Sequence, residues 1–340
     1  MQKDITQKEL EGYNDVFADI YNELIFGGKQ VLREEDLISL PTESFMRNMD
    51  GTVHQGFRDV RKADKRNGEY RLIWCIENQS GTDNTMPERI MGYEYAAYEE
   101  QIKALMAENK KKKNSAVTRR IHAHQKLAPV VTVVMNWSEE EWTGPRCLHD
   151  MLEFPEELEE ELRPLVSDYS FHLIEMARLP EEVRRRFRSD FRILAEYAAT
   201  RKEPEKWEEF LQTDSLRMLH PEEVLDALKA VSGDIRYGQI MNQLTKREKE
   251  DGVKMCVVAE KLERIGIEKG MQEGHRRGVQ EGRRQGMQEG RLRGMQEGIH
   301  QNMLQVICNM LRKNRSEEEI LELTECSREV LEEARRLLQN

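Results

Sequence analysis

Residues 70–79 read YRLIWCIENQ, and the fold turns on this stretch. It is rich in aromatic and β-branched residues, which predicts a strand. Side chains two apart on a strand share a face, so Tyr70, Leu72, Trp74 and Ile76 point together into a core. Glu77 and Gln79 then emerge together on the opposite face. Upstream, Asn67-Gly68 is a strong hairpin signal joining this strand to a candidate over His54–Lys62. Another short candidate strand covers Gln30–Arg33. Before both, NDVFADIYNELIF (14–26) places Val16, Phe17, Ile20 and Leu24 at helical spacing and stops at Gly27-Gly28. Downstream, a helix is predicted from about Pro87, whose ring suits a first turn. LAPVVTVVMNW (127–137) is nearly all apolar, as in a strand buried on both faces. Helix, strands, hairpin, helix and buried strand in that order predict a mixed α/β domain over residues 1–150.

The hairpin register carries a sharper expectation. A two-residue Asn67-Gly68 turn pairs Arg66 with Glu69 and sets Asp59, in the run RDVRK, across from Ile76. Asp59 and Glu77 would then lie on opposite faces. One bulge, or an odd-length loop, shifts the pairing by one residue and brings Asp59 opposite Glu77. Any chemistry that uses both carboxylates therefore requires that irregularity.

Beyond the α/β segment, residues 151–265 read as strongly charged helices, with apolar residues three or four apart and acidic first turns. They carry no chemical constellation and suggest a support or interaction region. Residues 266–300 contain a repeat: nine glycines, from Gly266 to Gly298, fall every fourth position. Each costs a helix about 1 kcal/mol against alanine, so a lone helix here loses roughly 8 to 9 kcal/mol. Two readings stay open, a self-association helix whose glycine row admits a close partner, or a flexible charged linker. Residues 301–340 show short helical patterns, with Ser316 and Glu319 as a capping box. Their acidity argues for packing or oligomerisation rather than docking in a DNA groove.

Composition narrows the classes. The net charge is −11, with 38% hydrophobic and 34% charged residues, so the chain builds a core but cannot be packed throughout. Such a charge repels phosphate, and contact with nucleic acid must come from local basic patches. Lys110–Lys113 with Arg119 and Arg120 form one candidate. Five cysteines, without a CxxC pair, give neither a disulfide framework nor a zinc ribbon. The polar opening MQKDITQKELEGYND lacks the apolar run of a secretory leader, and no stretch reaches the roughly 20 apolar residues of a membrane span. The expected compartment is the cytoplasm.

Phosphodiester hydrolysis needs a metal held by hard oxygen ligands, a water activated there, and charge compensation on the phosphate. Two carboxylates on adjacent strands supply such a site. The runs RDVRK, GEYRLIWCIENQSGTDNTMPERIMGYEYAAYEEQ and LAPVVTVVMNWSEEEWTGPRCLHDML resemble the Rpn family of recombination-promoting nucleases, or putative transposases, within the PD-(D/E)XK superfamily. The likeness covers roughly residues 10–150. It implies an αβββαβ restriction-endonuclease-like core, followed here by an α-helical region and a long glycine-striped C-terminal helix. It also implies DNA cleavage with Mg2+ (Mn2+ as a substitute), in recombination, mobile-element or defence processes. The family signature falls on Asp59, Glu77, Gln79, Met86, Arg89 and Tyr93, and the first-helix acidic motif on Asn14-Asp15 and Phe17.

By that resemblance Asp59, Glu77 and the Asn78 carbonyl would ligate the metal. Gln79 stands where most of the superfamily has lysine; an amide orients water or phosphate but brings no charge. Asp15 would position a second metal or a water, unless it only serves the free NH groups of its helix. Lys62, Arg89 and Tyr93 would meet the substrate. The partners expected are DNA and further copies of the chain, with no membrane. The competing expectation is a catalytically silent nuclease fold acting as an oligomeric adaptor or DNA-binding protein. A true transposase lacks support, because no acidic triad with a helix-turn-helix reader stands out.

Overall fold

The computed structural model describes residues 2–47, 53–57, 59–66, 68–111, 121–213 and 216–339. The chain divides into two units, Met1–Glu263 and Arg264–Asn340. The first opens with helices α1 (Gln2–Glu11) and α2 (Asn14–Leu24). Strands β1 (Leu37–Ser39), β2 (Glu43–Arg47), β3 (Val53–Phe57), β4 (Val60–Arg66) and β5 (Glu69–Gln79) follow, then α3 (Met86–Lys111) and β6 (Val130–Asn136). A five-stranded sheet runs in the order β1-β4-β5-β6-β7, where β7 is His172–Glu175 and the short α4 (Glu159–Leu162) precedes it. The first three strands pair antiparallel, and β5, β6 and β7 pair parallel. The result is a mixed α/β arrangement around one five-stranded sheet, as the order of strands and helices in the sequence predicts.

β5 holds the centre because it can be buried on both faces from Ile73 to Asn78. On one face Trp74 meets Tyr21 and Phe26 of the α2 segment, with ring centroids 4.7 and 5.9 Å away. The Tyr21 hydroxyl also donates to the Cys75 carbonyl at 2.6 Å, which ties α2 to the middle of the sheet. On the other face Ile73, Cys75, Ala63 and Val130 pack against Ala97 of α3. Met86, Ile90 and Tyr93 of α3 continue that layer onto Val134 and Trp142.

Several local expectations change. Residues 30–33 form a loop, and the edge strand is β1 instead. The candidate strand over 54–62 is two strands in different sheets, since β3 pairs with β2 and β4 joins the main sheet. Of the basic stretch, residues 112–120 lie outside the described residues, as does Asn67 of the hairpin.

A boundary at residue 150 does not divide this unit. β7 completes the sheet, and the helices after it build one body with it: α5 (Glu181–Arg184), α6 (Phe191–Thr200), α7 (Pro204–Leu211), α8 (Pro221–Ser232), α9 (Ile235–Asn242) and α10 (Lys246–Asp251). A two-stranded ribbon of β8 (Arg217–Met218) and β9 (Val253–Lys254) lies among them. Two buried aspartates do much of the joining. Asp19 of α2 accepts the NH groups of Arg188 and Ser189, at 2.8 and 2.7 Å. Asp190 accepts those of Leu219 and His220, at 2.8 and 2.6 Å. Trp137, just past β6, packs edge-on against Phe191 of α6.

Helix α11 (Met255–Arg312) begins in the first unit and continues into the second. It runs as one helix through the glycine repeat. In the second unit α12 (Glu317–Thr324) and α13 (Arg328–Gln339) form a small core around Ile307, Ile320, Leu331 and Ala334. Ser316 caps α12 by accepting the Glu319 NH at 3.3 Å. No helix of the described residues is long and apolar enough to cross a membrane.

Burial raises the Asp190 carboxyl from its ordinary value to about 6, although its two NH donors oppose the shift. A folded-state pKa above the unfolded one means that the native state binds the extra proton. Its contribution is then fully present below about pH 4 and is lost as the pH climbs through 6. Asp190→Asn keeps an acceptor without the charge. Thermal melts from pH 4 to 7 should show the wild type losing up to about 3 kcal/mol relative to this variant. Parallel melting curves would remove Asp190 as the titrating group.

Candidate active site

The pairing of β4 with β5 contains one irregularity, and it falls between Asp64 and Lys65. Arg66 pairs with Glu69 and Lys65 with Tyr70, as a tight turn demands, but Asp64 then pairs with Leu72. Arg71 is the extra residue. From there to Val60, opposite Ile76, the shifted register persists. Continued by one residue, it sets Asp59 across from Glu77. This is the bulge that the two-carboxylate reading requires.

Asp59 lies in a bend just before β4. Its carboxylate accepts the Asn78 NH at 2.6 Å and meets the Lys8 ammonium of α1 at 2.6 Å. Glu77 is buried on the α3 face, where its Oε1 receives Arg89 at 2.6 Å and the Gln79 amide at 3.2 Å. Arg89 is forked between Glu77 and Asp83, with Asp83 at 2.5 Å, and it also reaches the Tyr93 hydroxyl at 3.3 Å. Despite its burial, these partners push the guanidinium further above its ordinary pKa. Asp83 in turn accepts from the Thr85 NH and hydroxyl and so organises the entry into α3.

Asn78 points the other way. Its amide donates to Glu11 of α1 at 2.7 Å and accepts the Trp137 indole NH at 2.6 Å. Glu11 is fully buried; desolvation pushes its carboxyl well above the usual range, and repulsion from Asp59 adds to this. Its second oxygen, Oε1, has no hydrogen-bond partner among the described residues. Beside Gln79 a cavity of about 210 Å³ opens between Asn78, Trp137 and Arg201.

The structure thus gathers Asp59, Glu77, Asn78, Gln79, Arg89 and Tyr93 at one end of the sheet. It does not bring Asp15 or Lys62 to them. Asp15 of α2 meets His220 at 3.2 Å, and His220 stacks on Tyr13. Lys62 is buried on the opposite face, where its ammonium donates to the Gly12 carbonyl, the Asn14 side chain and the Ser39 hydroxyl. Strand parity explains the difference, because three residues separate it from Asp59. Sequence reasoning missed Lys8 and Glu11. They lie three apart near the end of a helix whose polar sequence offered no apolar pattern to read, and that spacing was the available signal.

Residues 36–197 match the sequence family described as putative transposase, YhgA-like. The match spans just under half of the chain, and the family it names is part of the Rpn, PD-(D/E)XK-like group that the strand motifs resemble. Neither the curated proteins nor the solved structures contain a match to the chain. The matched segment spans the main sheet from just before β1 through β7 and reaches into α6.

Lys62 serves as a test of the face assignment. Lys62→Met leaves buried acceptors without their donor and should cost about 1 to 3 kcal/mol in denaturant melts. A variant as stable as the wild type would take the Lys62 ammonium out of this buried network.

Proposed function

We propose that the chain is a metal-dependent DNA endonuclease that hydrolyses phosphodiester bonds in recombination, mobile-element or defence-associated processing. One observation carries the reading: the bulge at Arg71, which sets Asp59 opposite Glu77 in a strand pair that otherwise separates them. A bulge leaves a residue unpaired and disturbs the ladder, and bulges often re-aim side chains beside active sites. The family match over the same segment supports it.

The donor set suits Mg2+, or Mn2+ in its place. Asp59, Glu77 and the Asn78 carbonyl are hard oxygen ligands, and Mg2+ usually takes few protein ligands and keeps several waters. Glu11 Oε1, buried near Asp59 without a partner, is a further oxygen of the same kind. Among the described residues no cluster of three or more His, Cys, Asp or Glu reaches a single point, so a backbone carbonyl and solvent must complete the shell. The metal would supply positive charge at the scissile phosphate and lower the pKa of a water. Gln79 would orient that water or the phosphate by hydrogen bonds. Arg89, fixed by Asp83, would place a permanent charge beside Glu77, and Tyr93 would hold the guanidinium in position. Further copies of the chain are the proposed protein partners, through the glycine-striped part of α11.

A second reading rests on the ion pairs. Lys8 on Asp59 and Arg89 on Glu77 already compensate both carboxylates within the chain. A site neutralised in this way would suit a nuclease fold retained as an oligomeric adaptor or DNA-binding module.

Plasmid nicking with Mg2+ separates the two. The wild type should cleave, whereas Asp59→Ala and Glu77→Ala should each lower the rate at least a hundredfold with DNA retention unchanged. Cleavage that survives both substitutions would overturn the site. DNA binding without cleavage under Mg2+ or Mn2+ would establish the second reading.

A further inference from the structure

The part of α11 within the second unit presents three adjacent rows of residues, each repeating every four positions. The middle row is glycine, and from Gly270 to Gly298 no atom lies within 4 Å of where a Cβ would stand. Nothing described in the chain covers this stripe, and by itself it does not say what would. The row one residue later is mixed: Met271, Val279, Met287 and Met295 are apolar yet 57–72% exposed, with His275, Arg283 and Arg291 between them. The row one residue earlier is polar and alternates in sign: Lys269, Glu273, Arg277, Glu281, Gln285, Glu289, Arg293, Glu297.

These rows are palindromic about residue 283. Met287 mirrors Val279, and Met295 mirrors Met271. On the polar row Glu289 mirrors Arg277, Arg293 mirrors Glu273, and Glu297 mirrors Lys269. Each of these three pairs joins opposite charges; Glu281 falls beside the neutral Gln285, and the one like-charge contact is Arg283 with the partner's Arg283 at the centre. A parallel, in-register pair would instead set Glu273 against Glu273 of the partner subunit and Arg277 against the partner's Arg277. Like charges at such contacts are unfavourable.

We infer that α11 pairs with a second copy of this chain in an antiparallel, two-fold symmetric contact centred near residue 283. This rests on the self-association part of the function proposed above and not on cleavage. The glycine row lets the backbones approach. Rows inclined along i, i+4 interdigitate best at a crossing of about −50°. Met287 then packs beside Val279 of the partner subunit, and Glu289 beside the partner's Arg277. Within one chain Arg277 pairs with Glu273 at 2.5 Å, and both remain accessible enough to turn to a partner. The arrangement is isologous and closes as a dimer, and antiparallel helix dipoles compensate each other.

Charge inversion tests both partner and direction. The full-length chain, carrying Asp59→Ala to silence cleavage, is compared with a version that also bears Glu273→Arg, Arg277→Glu, Glu289→Arg and Arg293→Glu. Each should sediment as a dimer with unchanged helix content. Mixed and differently tagged, the two should sort into like pairs by at least tenfold, because the antiparallel contact sets equal charges together only in the mixed pair. Preferential pairing of inverted with wild-type chains would overturn the orientation. A monomer at tens of micromolar, or a monomer that binds duplex DNA through this helix, would overturn the proposal. Replacing Gly282 and Gly286 with leucine should weaken the dimer at least tenfold, and an unchanged dissociation constant would also count against it. Because every chain is cleavage-silent, failure here is distinct from failure of the nuclease reading.

Discussion

The extra residue at Arg71 is the constraint on which the rest of the first unit depends. A strand has a period of two, so a one-residue shift exchanges every face. Before the bulge the hairpin obeys its turn; beyond it, β4 obeys the site and the core together. The same shift that sets Asp59 opposite Glu77 also pairs Ala63 with Ile73 and places both in the layer under α3. Without it, one of two things fails: the carboxylates separate, or the apolar set of β4 turns out of the core. The pairing of the two carboxylates and the packing of β4 therefore call for the same irregularity.

A second constraint is electrostatic. The site end of the sheet buries Glu11 and Glu77 and nearly buries Asp59, in a chain that is already acidic. Such charges are tolerable only when paired, hydrogen-bonded or protonated. Each carboxylate takes a different route. Asp59 has Lys8 and a backbone NH, Glu77 has Arg89 and the Gln79 amide, and Glu11 is driven toward its protonated form. The two cations among the supporting groups, Lys8 and Arg89, come from helices. The positions of α1 and α3 thus set the charge state of the strands; α1 packs against α8 of the helical body, and Tyr13, between α1 and α2, donates to Glu223 there.

How much of this was legible in the sequence follows from the range of each interaction. β5, β6, α2 and α3 were readable because their apolar patterns are local and strong. The need for a bulge was readable as well, since it follows from parity once Asp59 and Glu77 are taken as partners. Its position at Arg71 was not, because nothing in Lys65–Leu72 distinguishes one site of insertion from another. Lys62 misled because a lysine near a phosphate site is chemically attractive, yet its parity already placed it with Trp74, its partner in the ladder. β7 escaped notice because four residues, His172–Glu175, form no recognisable pattern until β6 supplies the edge to which they add. Lys8 and Glu11 escaped for a similar reason: their meaning lies in tertiary neighbours more than fifty residues away.

Gln79 draws these points together. Most of the superfamily has a lysine at this place, and its absence first reads as a lost charge. In the structure Glu77 Oε1 receives both the Gln79 amide and the Arg89 guanidinium. A lysine on the strand would put a second cation at the oxygen that Arg89 already occupies, in a region where an unpaired buried charge costs several kcal/mol. The amide keeps the hydrogen bond without that penalty. The site thus has a positive charge on Arg89 in the first turn of α3, where Asp83 holds it. Unlike a strand lysine, Arg89 cannot give up its proton near neutral pH. It can neutralise and orient, but it cannot act as a base. Under the proposed nuclease reading, any proton transfer at this site would fall to the carboxylates or to solvent, which would tie the chemistry to Asp59 and Glu77 more tightly than a lysine would.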